Sequence, residues 1–77
     1  MELRSLLSLI RERCAAQGEI DGVALAHAAG LSREDAFSLI EQLDADGLAV
    51  VEEYGFSCTV EYTVTGLTEA GLAKLND

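Results

Sequence analysis

Apolar residues recur along this chain at two spacings, first the three-and-four step of a helix and later the two-step of a strand. Leu3, Leu6, Leu7, Ile10 and Cys14 keep the helical rhythm, with Arg4, Ser8, Arg11 and Glu12 mainly on the other side. A first amphipathic helix should therefore run from about residue 3 and stop near Gln17 and Gly18. Leu9 lies off the stripe and predicts a smaller apolar patch, either an edge of the core or a contact with another copy. Glu19 and Ile20 suit a very short strand. Asp21 is placed to cap a second helix over residues 22–29.

The stretch from Ile20 to Val50 is the organising one. Ala26 is small and stands four positions before Gly30, where two helices must cross closely. Gly30 can take the left-handed conformation that ends one helix and turns the chain toward the next. Ser32, followed three residues later by Asp35, resembles a looser capping box and opens a third helix. Ala36, Leu39, Ile40 and Leu43 give that helix its inner stripe over residues 33–46, and Gly47 is a plausible left-handed stop. Residues 48–54 then read as a strand by their apolar and β-branched content. Gly55 and its neighbours supply a turn, and residues 57–64 a returning strand. There Cys58, Val60, Tyr62 and Val64 alternate with Ser57, Thr59, Glu61 and Thr63, which predicts one buried and one wet face. Gly66 and Leu67 should break the strand. Thr68 and Glu69 open a last helix over residues 69–75, with Leu72 and Leu75 facing inward.

Three helices, a hairpin and a closing helix, in that order, resemble a winged helix-turn-helix domain. The expected class is α+β: a three-helix core, a wing of two or three strands and a C-terminal helix, all within residues 1–77 as one domain. Two segments carry the resemblance most specifically. One runs from Leu25 to Leu48. The other, from Val64 to Leu75, is similar to the Leu-Thr-x-x-Gly start of the helix after the wing in MarR-like and related small bacterial regulators. The resemblance implies that the third helix would enter a major groove and the wing would touch the backbone or minor groove. Carried over, the groove-facing positions are Ser32, Arg33, Glu34, Asp35, Phe37, Ser38, Glu41 and Gln42. The wing brings Glu52, Glu53, Tyr54 and Phe56.

Charge changes this picture. The 77 residues hold 5 Lys and Arg against 14 Asp and Glu, a net charge of -9. Arg4, Arg11 and Arg13 all lie in the first 17 residues, and only Arg33 and Lys74 follow. Nucleic-acid affinity rests largely on cations neutralising phosphates, so the face that should meet DNA is the wrong sign for it. Acids can accept from cytosine, but repulsion from the flanking phosphates opposes them. The expected function is an interaction or regulatory module with a protein partner, a basic one fitting best. The alternatives are a DNA-binding regulator, using the first-helix arginines or cations from a partner chain, and a weaker reading as a nucleic-acid mimic that occupies a basic protein. Fold alone does not choose between them.

Phe37 stands one step off the inner stripe of the third helix. It is either a core ring packed on the hairpin or an exposed anchor rimmed by Glu34, Asp35 and Glu41. Tyr54 and Phe56 have the same two readings. Other chemistry is thinly represented. Cys14, His27 and Cys58 lack the close doublets of a zinc site, and the acids from Asp44 to Glu53 lack the loop spacing of a calcium hand. No nucleophile has His and acid partners at a known spacing, and no Gly-rich phosphate loop follows a strand. No enzyme, no cofactor and no metal are expected. Cys14 and Cys58 suit reduced, partly buried thiols. No run approaches the roughly 20 apolar residues of a membrane span, and the start lacks a signal-peptide pattern. The expectation is a cytoplasmic protein with no membrane partner, monomeric or weakly dimeric through Leu9 and the last helix.

Overall fold

The computed structural model describes residues 2–56 and 59–76, with only the backbone of Phe56 and Thr59. Its elements follow in the order α1 (Leu3–Gln17), β1 (Ile20–Asp21), α2 (Gly22–Ala29), α3 (Arg33–Ala45), β2 (Ala49–Phe56), β3 (Thr59–Leu67) and α4 (Glu69–Asn76). The arrangement is α+β, four helices with a three-stranded antiparallel sheet in the order β1-β3-β2.

Each helix boundary in the middle of the chain has a local cause. The Asp21 carboxylate accepts from the Ala24 N–H at 2.7 Å, and the Ser32 hydroxyl oxygen accepts from the Asp35 N–H at 3.1 Å. Both satisfy amide groups that a helix start leaves unpaired. At the other end of α2, Gly30 sits at φ 69° and ψ 32°, and the next amide, Leu31 N–H, returns to the Ala26 carbonyl at 2.9 Å. The end of α3 repeats this pattern. Gly47 has φ 69°, and Leu48 N–H bonds the Leu43 carbonyl at 2.9 Å. A side chain at either glycine would be strained.

The core joins Leu6, Leu7 and Ile10 of α1 to Leu25, Ile40 and Leu43 of the α2–α3 pair and to Ile20, Leu48, Ala49 and Val64 around the sheet. Ala26 and Ala36 are buried between them. Burying such a branched side chain contributes about 1.5–3 kcal/mol each, which makes this contact between α1, the helix pair and β3 the chief source of stability. Leu9 and Leu39 are half-buried against the core, as edge residues.

The strands depart from the sequence pattern. The short first strand is Ile20–Asp21, one residue later than expected, because Ile20 pairs with Val64 and Asp21 with Thr63. Gly55 is not the turn. It lies within β2 and pairs with Val60, so the hairpin extends to Phe56 and Thr59. Nor do Gly66 and Leu67 break β3, since they pair with Val50 and Ala49 across a register shift between Val50 and Val51. The shift absorbs one extra residue and lets the ladder continue. The predicted buried face of β3 holds at Val64 and in part at Tyr62 but fails at Val60, which is 42% exposed. The molecule measures 39 × 22 × 22 Å, and Val60 lies far out on the hairpin, beyond the reach of the core. Cys58 and the side chain of Phe56 lie outside the described residues.

Two helical positions also differ. Leu3 is 40% exposed at the terminal turn of α1, where the inner stripe outruns the core. Leu72 is exposed as well; the buried residue of α4 is Gly71, with Leu75 half-buried one turn on. The cause is backbone proximity. A Cβ at Gly71 would run into the carbonyl group of Leu48, so α4 packs through its glycine and turns Leu72 outward.

Candidate interaction surface

Helical geometry sorts the α3 residues at about 100° per residue. Glu34, Ser38, Gln42 and Ala45 form an exposed crest, with Asp35 and Asp46 on one flank and Glu41 on the flank nearer the sheet. Ser32, Arg33, Glu34, Asp35, Ser38, Glu41 and Gln42 are all exposed, so seven of the eight expected positions share an accessible surface. Several of them are engaged within the chain. Ser32 caps α3, and the Gln42 amide nitrogen donates to both carboxylate oxygens of Asp46 at 3.1 Å.

Phe37 is the exception on that surface. It is half-buried and meets Tyr62 of β3 edge to face, with ring centroids 5.1 Å apart and planes at 89°. A Cβ at Gly22 would stand 2.5 Å from the Phe37 ring edge, so the missing side chain at Gly22 is what lets the ring lie on the start of α2. The Arg33 guanidinium carbon lies 4.9 Å from the centre of the same ring. Phe37 thus joins α3 to α2 and the sheet, as the packed reading requires, and it carries the only cation of α3 on its face.

The hairpin adds acids on both of its faces, Glu53 on the one that bears Tyr62 and Glu52 and Glu61 on the other. Glu52, Glu53 and Tyr54 are exposed, and the Tyr54 hydroxyl donates to Glu52 at 2.6 Å, which raises the phenol's pKa. Tyr62 was not among the expected site residues, yet it ties the two halves of the surface together. Its hydroxyl donates to the Glu41 carboxylate at 2.6 Å. That hydrogen bond, then burial and the charges of Glu41, Glu53 and Asp44, push the phenol up to about 12. The alternation of β3 placed Tyr62 toward the core; it could not show that the hydroxyl reaches α3.

Between residues 32 and 62 the chain holds eight carboxylates, all exposed, and Arg33 alone as a cation. The first-helix arginines do not compensate as a group. Arg4 and Arg11 are seven residues apart and share one side of α1, whereas Arg13 points about 180° from them by helical geometry. All three are exposed, but they do not make one cationic face.

Hollows mark the surface of the described residues. A cleft of about 330 Å³ lies between the start of α2, α3 and β3, lined by Asp21, Gly22, His27, Phe37, Glu61 and Tyr62 among others. A shallower groove of about 540 Å³ lies where Ser8, Leu9 and Glu12 of α1 meet Ala28 and Leu75. His27 is exposed, and among the described residues no three His, Cys, Asp or Glu side chains converge as a metal-binding group. Cys14 is a half-buried free thiol whose Sγ donates to the Val64 carbonyl at 3.4 Å. No described helix is long and apolar enough to cross a membrane.

No protein-family model and no curated protein matches this sequence. Among solved structures the chain is similar to Stf76 from the Sulfolobus islandicus plasmid-virus pSSVx, with a TM-score of 0.58 and 18% identity over 100% of this chain and 96% of that one. At that identity the likeness shows a shared small α+β fold.

Proposed function

We propose that the chain is a winged-helix module, of the kind seen in MarR-like and related small regulators, that acts by docking on a basic protein through α3 and the β2–β3 hairpin and catalyses no reaction. The helix-turn-helix pair, the hairpin after it and the closing helix that begins Leu67-Thr68-Glu69-Ala70-Gly71 support the winged-helix assignment. One observation carries the docking reading: α3 with its C-terminal cap and the hairpin bear eight exposed carboxylates, and the single cation among them lies against Phe37. A surface of that sign repels phosphate and attracts Lys and Arg, over a range set by a Debye length of about 8 Å at physiological salt. The module works as a monomer, or as a weak dimer through the groove beside Leu9.

A second reading, a DNA-binding regulator, draws on Ser38 and Gln42, whose side chains can bond base edges from the crest. Against it stand the flanking acids, the Gln42–Asp46 hydrogen bonds and the divided arginines of α1. The test is a pair of titrations at low salt, one with random duplex DNA and one with a Lys- and Arg-rich peptide. The expected result is no DNA binding tighter than micromolar. Peptide binding should be salt-sensitive and should be lost in the double variant Glu34→Lys, Asp35→Lys, with helical content unchanged. Tight, salt-sensitive DNA binding by the unaltered protein overturns the reading.

A further inference from the structure

The cleft between α2 and β3 exists for a definable reason. β1 is two residues long and covers β3 only at Thr63 and Val64. Beyond them, at Glu61 and Tyr62, that edge of β3 has no strand beside it among the described residues. Gly22 contributes no side chain, and Phe37 and Tyr62 close the wall with their two rings in edge-to-face contact. The result is a hollow of about 330 Å³ with an aromatic side and two carboxylate-bearing residues, Asp21 and Glu61, at its lining. Antiparallel pairing puts Asp21 opposite Thr63, and Glu61 is two residues further along β3, so both acids project from one face of the sheet and Tyr62 from the other, and they meet in the cleft across the uncovered edge of β3.

We propose that this cleft receives an arginine side chain of the basic partner, an inference that rests on the docking reading above and gives it a specific anchor. Three features of the lining select that group. The aromatic wall favours a flat cation over a compact one, since guanidinium stacks on rings and is more weakly hydrated than ammonium. The molecule already holds one guanidinium this way, with Arg33 4.9 Å from the centre of the Phe37 ring. Glu61, and Asp21 with the oxygen that does not cap α2, offer acceptors to the planar N–H fork, in charge-assisted hydrogen bonds. The volume of about 330 Å³ is sufficient for an arginine side chain. Arg33 is not among the residues that line the cleft. His27 also lines the cleft, as the one side chain there that can carry positive charge, against the carboxylates of Asp21 and Glu61.

The experiment follows the backbone amides of the intact chain by NMR while two short peptides are added separately. One is a capped Gly-Gly-Arg-Gly-Gly; in the other, neutral citrulline replaces the arginine. The expected result is saturable shifts concentrated at residues 21–24, 27 and 61–63 with the arginine peptide and none with citrulline. The double variant Asp21→Asn, Glu61→Gln should weaken binding about tenfold or more, the loss of a charge-assisted contact. Asn retains the cap on α2, so an unchanged spectrum elsewhere shows the fold intact. Arginine-dependent shifts spread over the α3 crest and hairpin without preference for the cleft, or equal binding by the double variant, overturn the anchor and leave the docking reading standing. No binding of either peptide at low salt, together with tight binding of duplex DNA, overturns both.

Discussion

Gly71 of α4 lies directly against the carbonyl group of Leu48, the residue that leads from α3 into β2. Thr68 builds the same junction from the other side. Its hydroxyl donates to the Gly47 carbonyl at 2.6 Å, its oxygen accepts from the Gly71 N–H at 3.0 Å, and its own N–H bonds the Leu48 carbonyl at 3.1 Å. The Thr-x-x-Gly spacing is therefore a packing device, since one residue caps α4 while the other lets it approach the chain leaving α3.

Gly71→Ala is expected to destabilise the protein, although a helical Gly→Ala change ordinarily gains up to about 1 kcal/mol. The added methyl meets backbone, which cannot swing aside, so a net cost of about 1–3 kcal/mol is expected. Thermal unfolding should show the midpoint falling by about 4–8 °C per kcal/mol in a domain of this size. A variant as stable as the parent would show that the approach is not close.

Thr68→Ala removes the α4 cap and leaves the Gly47 carbonyl without its hydroxyl donor. The expected loss is about 0.5–2 kcal/mol. Because both groups belong to one junction, the double variant with Gly71→Ala should cost less than the two singles together. Denaturant unfolding of the set measures the difference.

Tyr62 should be the last phenol to ionise. An absorbance titration is expected to place it near 12, above the ordinary 10.0, and Glu41→Gln should bring it down by replacing the charged acceptor that raises it most with a neutral one. The folded pKa exceeds the unfolded one, so the stabilisation is fully present below pH 10 and lost as pH rises through about 12. The pair is partly exposed, and its contribution is small. Stability measured between pH 9 and about 12 should fall less steeply in Tyr62→Phe than in the parent.

Cys14 is expected to react slowly. Burial raises its thiol pKa above the ordinary 9.0, and the Glu19 charge adds to the effect. The neutral thiol is thus the form the fold favours, and its contribution is held below pH 9 and lost above the raised value. In a Cys58→Ser background, alkylation by iodoacetamide at pH 7 should be about tenfold slower than for an unfolded control, because thiolate is the nucleophile. Rates equal to the denatured protein's would contradict the burial.

Phe37→Leu should cost about 1–2 kcal/mol, less than a fully buried ring because Phe37 is half-exposed. In a double-mutant cycle with Tyr62→Leu, a coupling of about 0.5–1.5 kcal/mol is expected from the edge-to-face contact. Additive losses would mean the rings touch without favouring that geometry.

Local chemistry was legible in the sequence wherever a residue's role is set by its immediate neighbours. Asp21 and Ser32 as caps, Gly30 and Gly47 as left-handed stops, and the inner stripe of Ala36, Ile40 and Leu43 follow from groups a few bonds apart, and the acidity of α3 and the hairpin follows from composition. Contacts between distant segments were decided only in three dimensions. Strand pairing carried β2 and β3 through Gly55 and Gly66, because a ladder with a partner tolerates residues that look like breaks in isolation. A backbone carbonyl, not a hydrophobic side chain, fixed which side of α4 faces inward. Phe37 became a bridge and Tyr62 a link to Glu41 because α3 and β3 meet 21 or more residues apart in the chain, a distance over which hydrophobic spacing carries no information about which side chains touch.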